Sequence, residues 1–183
     1  MKRFIFNLIA LFILSIAAAG VQAQTPMTKG VNVIQAGVGL GGWTTSYTTS
    51  ETPLIIATFE RGVMDDLGKG NLSVGGTVLV KSGKYAGDFY SWNYTYTAVA
   101  ARGSYHPHFV KSEKLDAYAG ISLGLYHIST KATNGEVEAG VSGTSFAWGL
   151  HIGARYNFTD QIGAWAEVGA GVGNIGVGVS YRF

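Results

Sequence analysis

The chain of 183 residues has no cysteine. That absence excludes a disulfide framework, a thiolate metal site, a catalytic thiol and a lipid anchor on an N-terminal cysteine. Charge is also scarce, at 13% of residues. Lys2 and Arg3 account for two of the 13 basic residues, and none of the 11 acidic ones precedes Gln24, so the chain from Gln24 onward carries eleven of each sign. A near-neutral chain gives no electrostatic support for a nucleic-acid or polyanion partner. Beyond the first two dozen residues there is no apolar run long enough for a membrane-spanning helix.

Those first residues have the three parts of an export signal. Met1-Lys2-Arg3 is positively charged, Phe4 to Ala19 is almost wholly apolar, and Val21-Gln22-Ala23 offers small residues for signal peptidase. The expectation is a cleaved signal peptide over residues 1–23 and one domain over 24–183.

In the rest of the chain apolar side chains recur at every second position. Ile175, Val177, Val179, Tyr181 and Phe183 share one face, and Gly176, Gly178, Ser180 and Arg182 the other. The same split runs from Phe146 to Phe158, where Trp148, Leu150, Ile152 and Tyr156 oppose Gly149, His151, Gly153 and Arg155. It recurs at Ile34–Gly41, Leu72–Lys81 and Leu115–Tyr126, and more weakly at Thr52–Val63, Asn93–Gly103 and Ile162–Ala170. Segments of about ten residues with a period of two are what tilted spanning strands require. The pattern predicts an all-β protein, an eight-stranded antiparallel up-and-down transmembrane β-barrel. Glycine crowds the face opposite the large apolar residues, which suits an interior just wide enough for packed side chains.

Aromatic residues are expected to form girdles at the two interfaces: Trp43, Tyr47, Tyr90, Trp92, Phe146 and Trp148 at one rim, and Phe59, Tyr105, Phe109, Tyr156 and Phe158 at the other. Arg61 and Arg102 fall in the lipid-facing phase, near strand ends where long side chains snorkel to headgroups. An even strand number places both chain ends on one side, expected to be periplasmic. Met64–Gly70 and Thr159–Gln161 then read as short inner turns. Trp43–Glu51, Ser82–Trp92 and Ser129–Thr144 read as outer loops, Ser104–Lys114 is long for a turn, and Gly171–Asn174 is short for an outer loop.

The segment Phe158 to Gly169, closing with Gly178-Val179-Ser180-Tyr181-Arg182-Phe183, resembles the C-terminal third of the small outer-membrane β-barrel proteins, OmpX- or OmpW-like in architecture. The resemblance implies a cell outer-membrane location and contact with its lipids. It also implies that Tyr181 and Phe183 form the signal read by the barrel-assembly machinery. Functions vary widely on that fold, so activity must be argued from residues.

Several inward positions are ionisable: Glu60, Asp116, Arg155, Glu167 and Arg182, with His151 and Lys81. A tight turn at Thr159–Gln161 sets Arg155 opposite Trp165 and Gly153 opposite Glu167, and a turn at Gly171–Asn174 sets Arg182 opposite Gly163. Glu60, Arg155, Glu167 and Arg182 are the expected interior charge network, with two guanidiniums around the Glu167 carboxylate. Its bland reading is a structural lock, since unpaired buried charge is costly. Its sharper reading is a narrow, porin-like path for small solutes.

His127-Ile128-Ser129 resembles the His-x-Ser element of outer-membrane lipid A deacylases, with Glu136 or Glu138 as the orienting acid, although Thr130 stands where that motif has asparagine. The plainer reading is an interfacial histidine. Gly37 to Gly42 and Gly171 to Gly176 spell G-x-G-x-x-G without opening a helix and read as barrel glycines. His106-Pro107-His108 reads as a turn. The expectation is a non-enzymatic barrel without cofactor or metal, serving envelope integrity or surface contact through loops that could hold an extracellular ligand.

Overall fold

The computed structural model describes residues 27–41, 50–87, 91–109, 112, 114–133, 138–171 and 173–183. They form β1 (Asn32–Leu40), β2 (Ser50–Glu51), β3 (Leu54–Met64), β4 (Gly70–Ala86), β5 (Ser91–Pro107), β6 (Leu115–Thr133), β7 (Glu138–Asn157), β8 (Ile162–Ala170) and β9 (Ile175–Arg182). Every pairing is antiparallel, β1 pairs with β9, and β4 pairs with β5, so the sheet closes on itself. β2 continues the line of β3 past Pro53 and pairs only with β4. The closed ring therefore has eight strands, and closure leaves no edge through the wall.

Side chains alternate between the two faces, apart from an irregularity between Gly62 and Met64 where the β3–β4 register shifts. Ile34, Val38, Ile55, Val99, Leu125, Ile152, Val168 and Val179 are all exposed on the outside. An apolar band that wraps the whole circumference marks a surface solvated by lipid. Phe146, Trp148, Phe158, Tyr181 and Phe183 stand outward at its rims, whereas Trp92 takes the interior phase and is no part of a lipid girdle. Trp43, Tyr47 and Tyr90 lie outside the described residues, as does the expected signal peptide.

Strand lengths are unequal. β1, β8 and β9 have 9, 9 and 8 residues, while β4, β5, β6 and β7 have 17, 17, 19 and 20. The expected outer loops Ser82–Trp92 and Ser129–Thr144 are thus mostly strand. Beyond the lipid the outward phase turns polar, at Thr95, Ser129 and Ser142, and a run without apolar alternation reads as loop although its backbone continues the ladder. At the opposite end β5 runs on to Pro107, so the Ser104–Lys114 connection shrinks to the few residues before Leu115.

That shorter end is closed by the N-terminal segment. Gly30 and Gly62 exchange backbone bonds with the facing chain, Gly30 N to Gly62 O and Gly62 N to Val31 O, both at 2.9 Å, and Met27 is buried beneath the barrel. A Cβ on Gly62 would meet the Thr28 carbonyl oxygen at 2.0 Å, so only glycine lets this segment lie so close.

Candidate functional site

The interior has two layers. Toward the long-strand end Leu54, Ile56, Leu79, Ala98, Ala147 and Trp165 pack together, with Tyr126 against them. Below them lies a charged network drawn from all sides of the ring.

Glu60 on β3 is its centre. Its Oε1 accepts Arg102 Nε at 2.9 Å and Ser104 Oγ at 2.5 Å, and its Oε2 accepts Arg155 Nη2. β3 and β7 stand on opposite walls of the ring, so the Glu60–Arg155 pair spans the lumen. Arg155 Nη1 also donates to Asp116 Oδ2 at 3.1 Å. Arg102 donates from Nη1 and Nη2 to the two oxygens of Glu167, at 3.3 and 2.6 Å. The Tyr118 hydroxyl donates to Glu167 at 3.2 Å and accepts Gln35 Nε2 from the opposite wall at 3.4 Å. The Arg155 guanidinium lies 4.6 Å from the Tyr118 ring centroid, a cation–π distance.

Two glycines make these reaches possible. Gly75 of β4 stands between Glu60 and Arg102 in register. Gly153 of β7 stands between Tyr118 and Glu167. A Cβ on Gly153 would meet the Tyr118 ring at 2.5 Å. Each glycine lets side chains two strands apart bond directly over it.

Three expectations are corrected. Arg102 does not face lipid; it is buried on the inward face, because Tyr94, Tyr96, Ala98, Ala100 and Arg102 form the interior phase of β5. The pairing of Arg182 with Gly163 is wrong by two residues: Gly163 pairs with Ser180, since the β8–β9 turn closes one residue earlier than expected, with Gly169 N bonded to Asn174 O around Gly171 at φ +96°. A shift of two keeps every face, so Arg182 still points inward and lines a small cavity with Asp116 and Arg155. His106 is not a turn residue. It belongs to β5, is fully buried, and bridges Asp116 (Nδ1, 2.8 Å) to Ser73 (Nε2, 2.9 Å).

The four residues expected to form the network are therefore distributed as follows. Glu60 and Arg155 meet directly, Glu167 is tied in through Arg102, and Arg182 sits below. The carboxylate held by two guanidiniums is Glu60 rather than Glu167. Ser73, His106 and Asp116 have the connectivity of an acyl-transfer triad, but Ser73 and His106 are fully enclosed, so no substrate reaches that hydroxyl. Among the described residues only Arg155 Nε is a buried side-chain polar atom without a partner, so the network is close to saturated.

The motif outside the barrel reads differently. His127 is exposed on the outward face of β6, and its Nδ1 lies 2.8 Å from Thr144 Oγ1, its partner across the strand pair. Ser129 pairs in register with Ser142. Glu136 and the side chain of Glu138 lie outside the described residues.

A closed eight-stranded antiparallel ring with an apolar exterior and a charged, side-chain-filled interior is the fold of the small outer-membrane β-barrel proteins. Among solved structures the chain is similar to Ail, the attachment invasion locus protein of Yersinia pestis, at 15% identity over 85% of this chain and 100% of that one, with a TM-score of 0.52. It is similar to Ail in complex with the heparin analogue sucrose octasulfate at 15% identity and the same coverage, with a TM-score of 0.51. The N-terminal β-barrel domain of Pseudomonas aeruginosa OprF matches at 18% identity over 85% of this chain and 98% of that one, with a TM-score of 0.45. No family model and no curated protein sequence matches the chain.

Proposed function

We propose that this chain is exported by a cleaved signal over residues 1–23 and resides in the outer membrane as a non-enzymatic barrel that acts by surface contact. Its termini and short turns face the periplasm, and Tyr181 and Phe183 serve its recognition by the assembly machinery. The interior charge network of Glu60, Arg102, Arg155, Glu167 and Arg182 locks the wall and carries no solute.

One observation carries the surface role: the extension of β4–β7. A spanning strand needs about 9–11 tilted residues, and β7 has 20. The excess stands in the aqueous phase. Its margin is an open ladder, because β8 pairs with β7 only from Leu150 onward, and among the described residues nothing pairs with the other edge of β7 from Glu138 to Gly149. That stretch has no proline or lysine to block strand addition, the usual protection of an exposed edge. The Ail complex adds sulfated saccharide as a second class of ligand to try.

The test uses cells expressing the wild type or a chain whose β6–β7 hairpin is cut back to Thr130 and Val141. Adhesion to surfaces coated with matrix protein or sulfated polysaccharide is expected to fall several-fold on trimming. Equal adhesion of both strains, at equal surface amounts of folded barrel, would remove the surface-contact role.

A further inference from the structure

The outward face of β4–β7 changes character in rows that the strand register defines. Val78, Val99, Leu125 and Phe146 lie side by side as an apolar row. Two residues farther out come Val80, Thr97, His127 and Thr144, then Ser82, Thr95, Ser129 and Ser142, and then Lys84, Asn93, Lys131 and Gly140, with Ser50 beside Lys84. From lipid outward the order is apolar, interfacial, hydroxyl, cationic. Lys84 and Lys131 are exposed and, among the described residues, have neither an ion-pair nor a hydrogen-bond partner. No acid occurs in these rows; Glu138 stands one row farther out on β7. Among the described residues the other half of the ring has no counterpart, since β1 and β8 stop at Leu40 and Ala170.

The heights select the occupant. Each step of two residues rises about 6.7 Å along a strand, or about 5 Å along the membrane normal at the usual tilt. The His127 row stands about 5 Å above the last apolar row, the hydroxyl row about 10 Å and the lysine row about 15 Å. The polar layer of an ordinary phospholipid leaflet is about 5–8 Å deep. It would reach His127 and leave the hydroxyls and lysines above it. A saccharide headgroup bearing phosphate is tall enough to meet all three rows, with hydroxyls facing sugar and ammonium groups facing phosphate.

We propose that this face docks a phosphorylated glycolipid of the outer leaflet: acyl chains along Val78, Val99, Leu125 and Phe146, sugar along the serine and threonine row, phosphate on Lys84 and Lys131. It rests on the loop end being the outer end, and it gives His127 and Ser129 a part in headgroup binding in place of catalysis. The two lysine Cα atoms stand about 10 Å apart, two strand spacings, so their side chains can converge on one phosphate or take two.

The test folds the full chain and its Lys84→Ala/Lys131→Ala variant in zwitterionic detergent, confirms the barrel by heat-dependent gel mobility, and titrates each with diphosphoryl lipid A, phosphatidylglycerol and inorganic phosphate under native mass spectrometry. Wild type is expected to retain one diphosphoryl lipid A at least tenfold more strongly than the double variant, with phosphatidylglycerol and free phosphate no better on one protein than on the other. Equal retention by both proteins, or phosphatidylglycerol matching lipid A on wild type, would overturn the site. Orientation is read separately with Lys131→Cys, the chain's sole cysteine, and an impermeant maleimide. Labelling of intact cells is expected; labelling only after permeabilisation would overturn the outer placement, whatever the micelle result.

Discussion

At the scale of single residues, Arg102 joins two carboxylates from different strands: it binds Glu60 through Nε and Glu167 through both terminal nitrogens. Removing one member of a buried charge set strands the others, at a typical cost of about 3–5 kcal/mol. Arg102→Ala should therefore destabilise the barrel by about that amount in urea unfolding in lipid vesicles, followed by tryptophan fluorescence. A loss below about 1 kcal/mol would mean that water already compensates these carboxylates. Gly153→Ala tests the reach of Tyr118 over β7. The new methyl group overlaps its ring, and a forced shift in a packed interior costs about 1–3 kcal/mol. Pairing it with Tyr118→Phe, which lacks the Glu167 bond, should give less than the sum of the two losses. The sequence made Glu60, Asp116, Arg155, Glu167 and Arg182 legible, because each lies opposite large apolar neighbours. Arg102 was hidden by Tyr94 and Tyr96, whose size suggests a lipid face, with small residues at Ala98, Ala100 and Ala101 leaving the phase open. Charge counting could not reveal it, because Lys81, read as inward with Arg155 and Arg182, already balanced the three carboxylates, whereas in the structure Lys81 pairs with Glu51.

At the scale of elements, the strands inside the bilayer were readable and their aqueous continuations were not. Lipid on one side and a packed lumen on the other enforce a period of two, so β1, β7 and β9 are plain in the chain. Past the membrane both faces of β4–β7 can be polar, the period fades, and only the backbone ladder reports the strand. The register of β9 was misjudged for a related reason: the turn's position depends on Gly171 taking positive φ, which no side-chain pattern records. The extension is also energetically separable. Among the described residues, those past Thr130 on β6 and before Val141 on β7 make no part of the buried network or of the apolar layer. Replacing the segment between them by an Asn-Gly turn should leave the unfolding free energy of the barrel in urea unchanged within about 1 kcal/mol, the scale of surface changes. A larger loss would show that the outer sheet braces the wall.

At the scale of the whole molecule, the question is whether the ring conducts. The polar layer is bridged wall to wall by Glu60–Arg155 and by Gln35–Tyr118, and its donors and acceptors are taken. The cavity between Arg102, Glu167 and the apolar layer is about 30 Å³, room for about two or three waters and too small for a hydrated ion to pass. Above it the apolar layer, with Trp165 reaching across Gly178 to the Ala36 carbonyl, offers an ion no replacement for its hydration shell. Two barriers of different kind lie in series. Purified wild-type protein in planar bilayers is therefore expected to give no conductance steps above leak. Arg102→Ala, which opens only the polar layer, should stay silent as well. Trp165→Ala combined with Arg102→Ala removes a bulky member of each layer and should be the first variant to admit ions. Steps from wild type would replace the lock with a pore. Steps from Arg102→Ala alone would place the whole barrier in the charged layer.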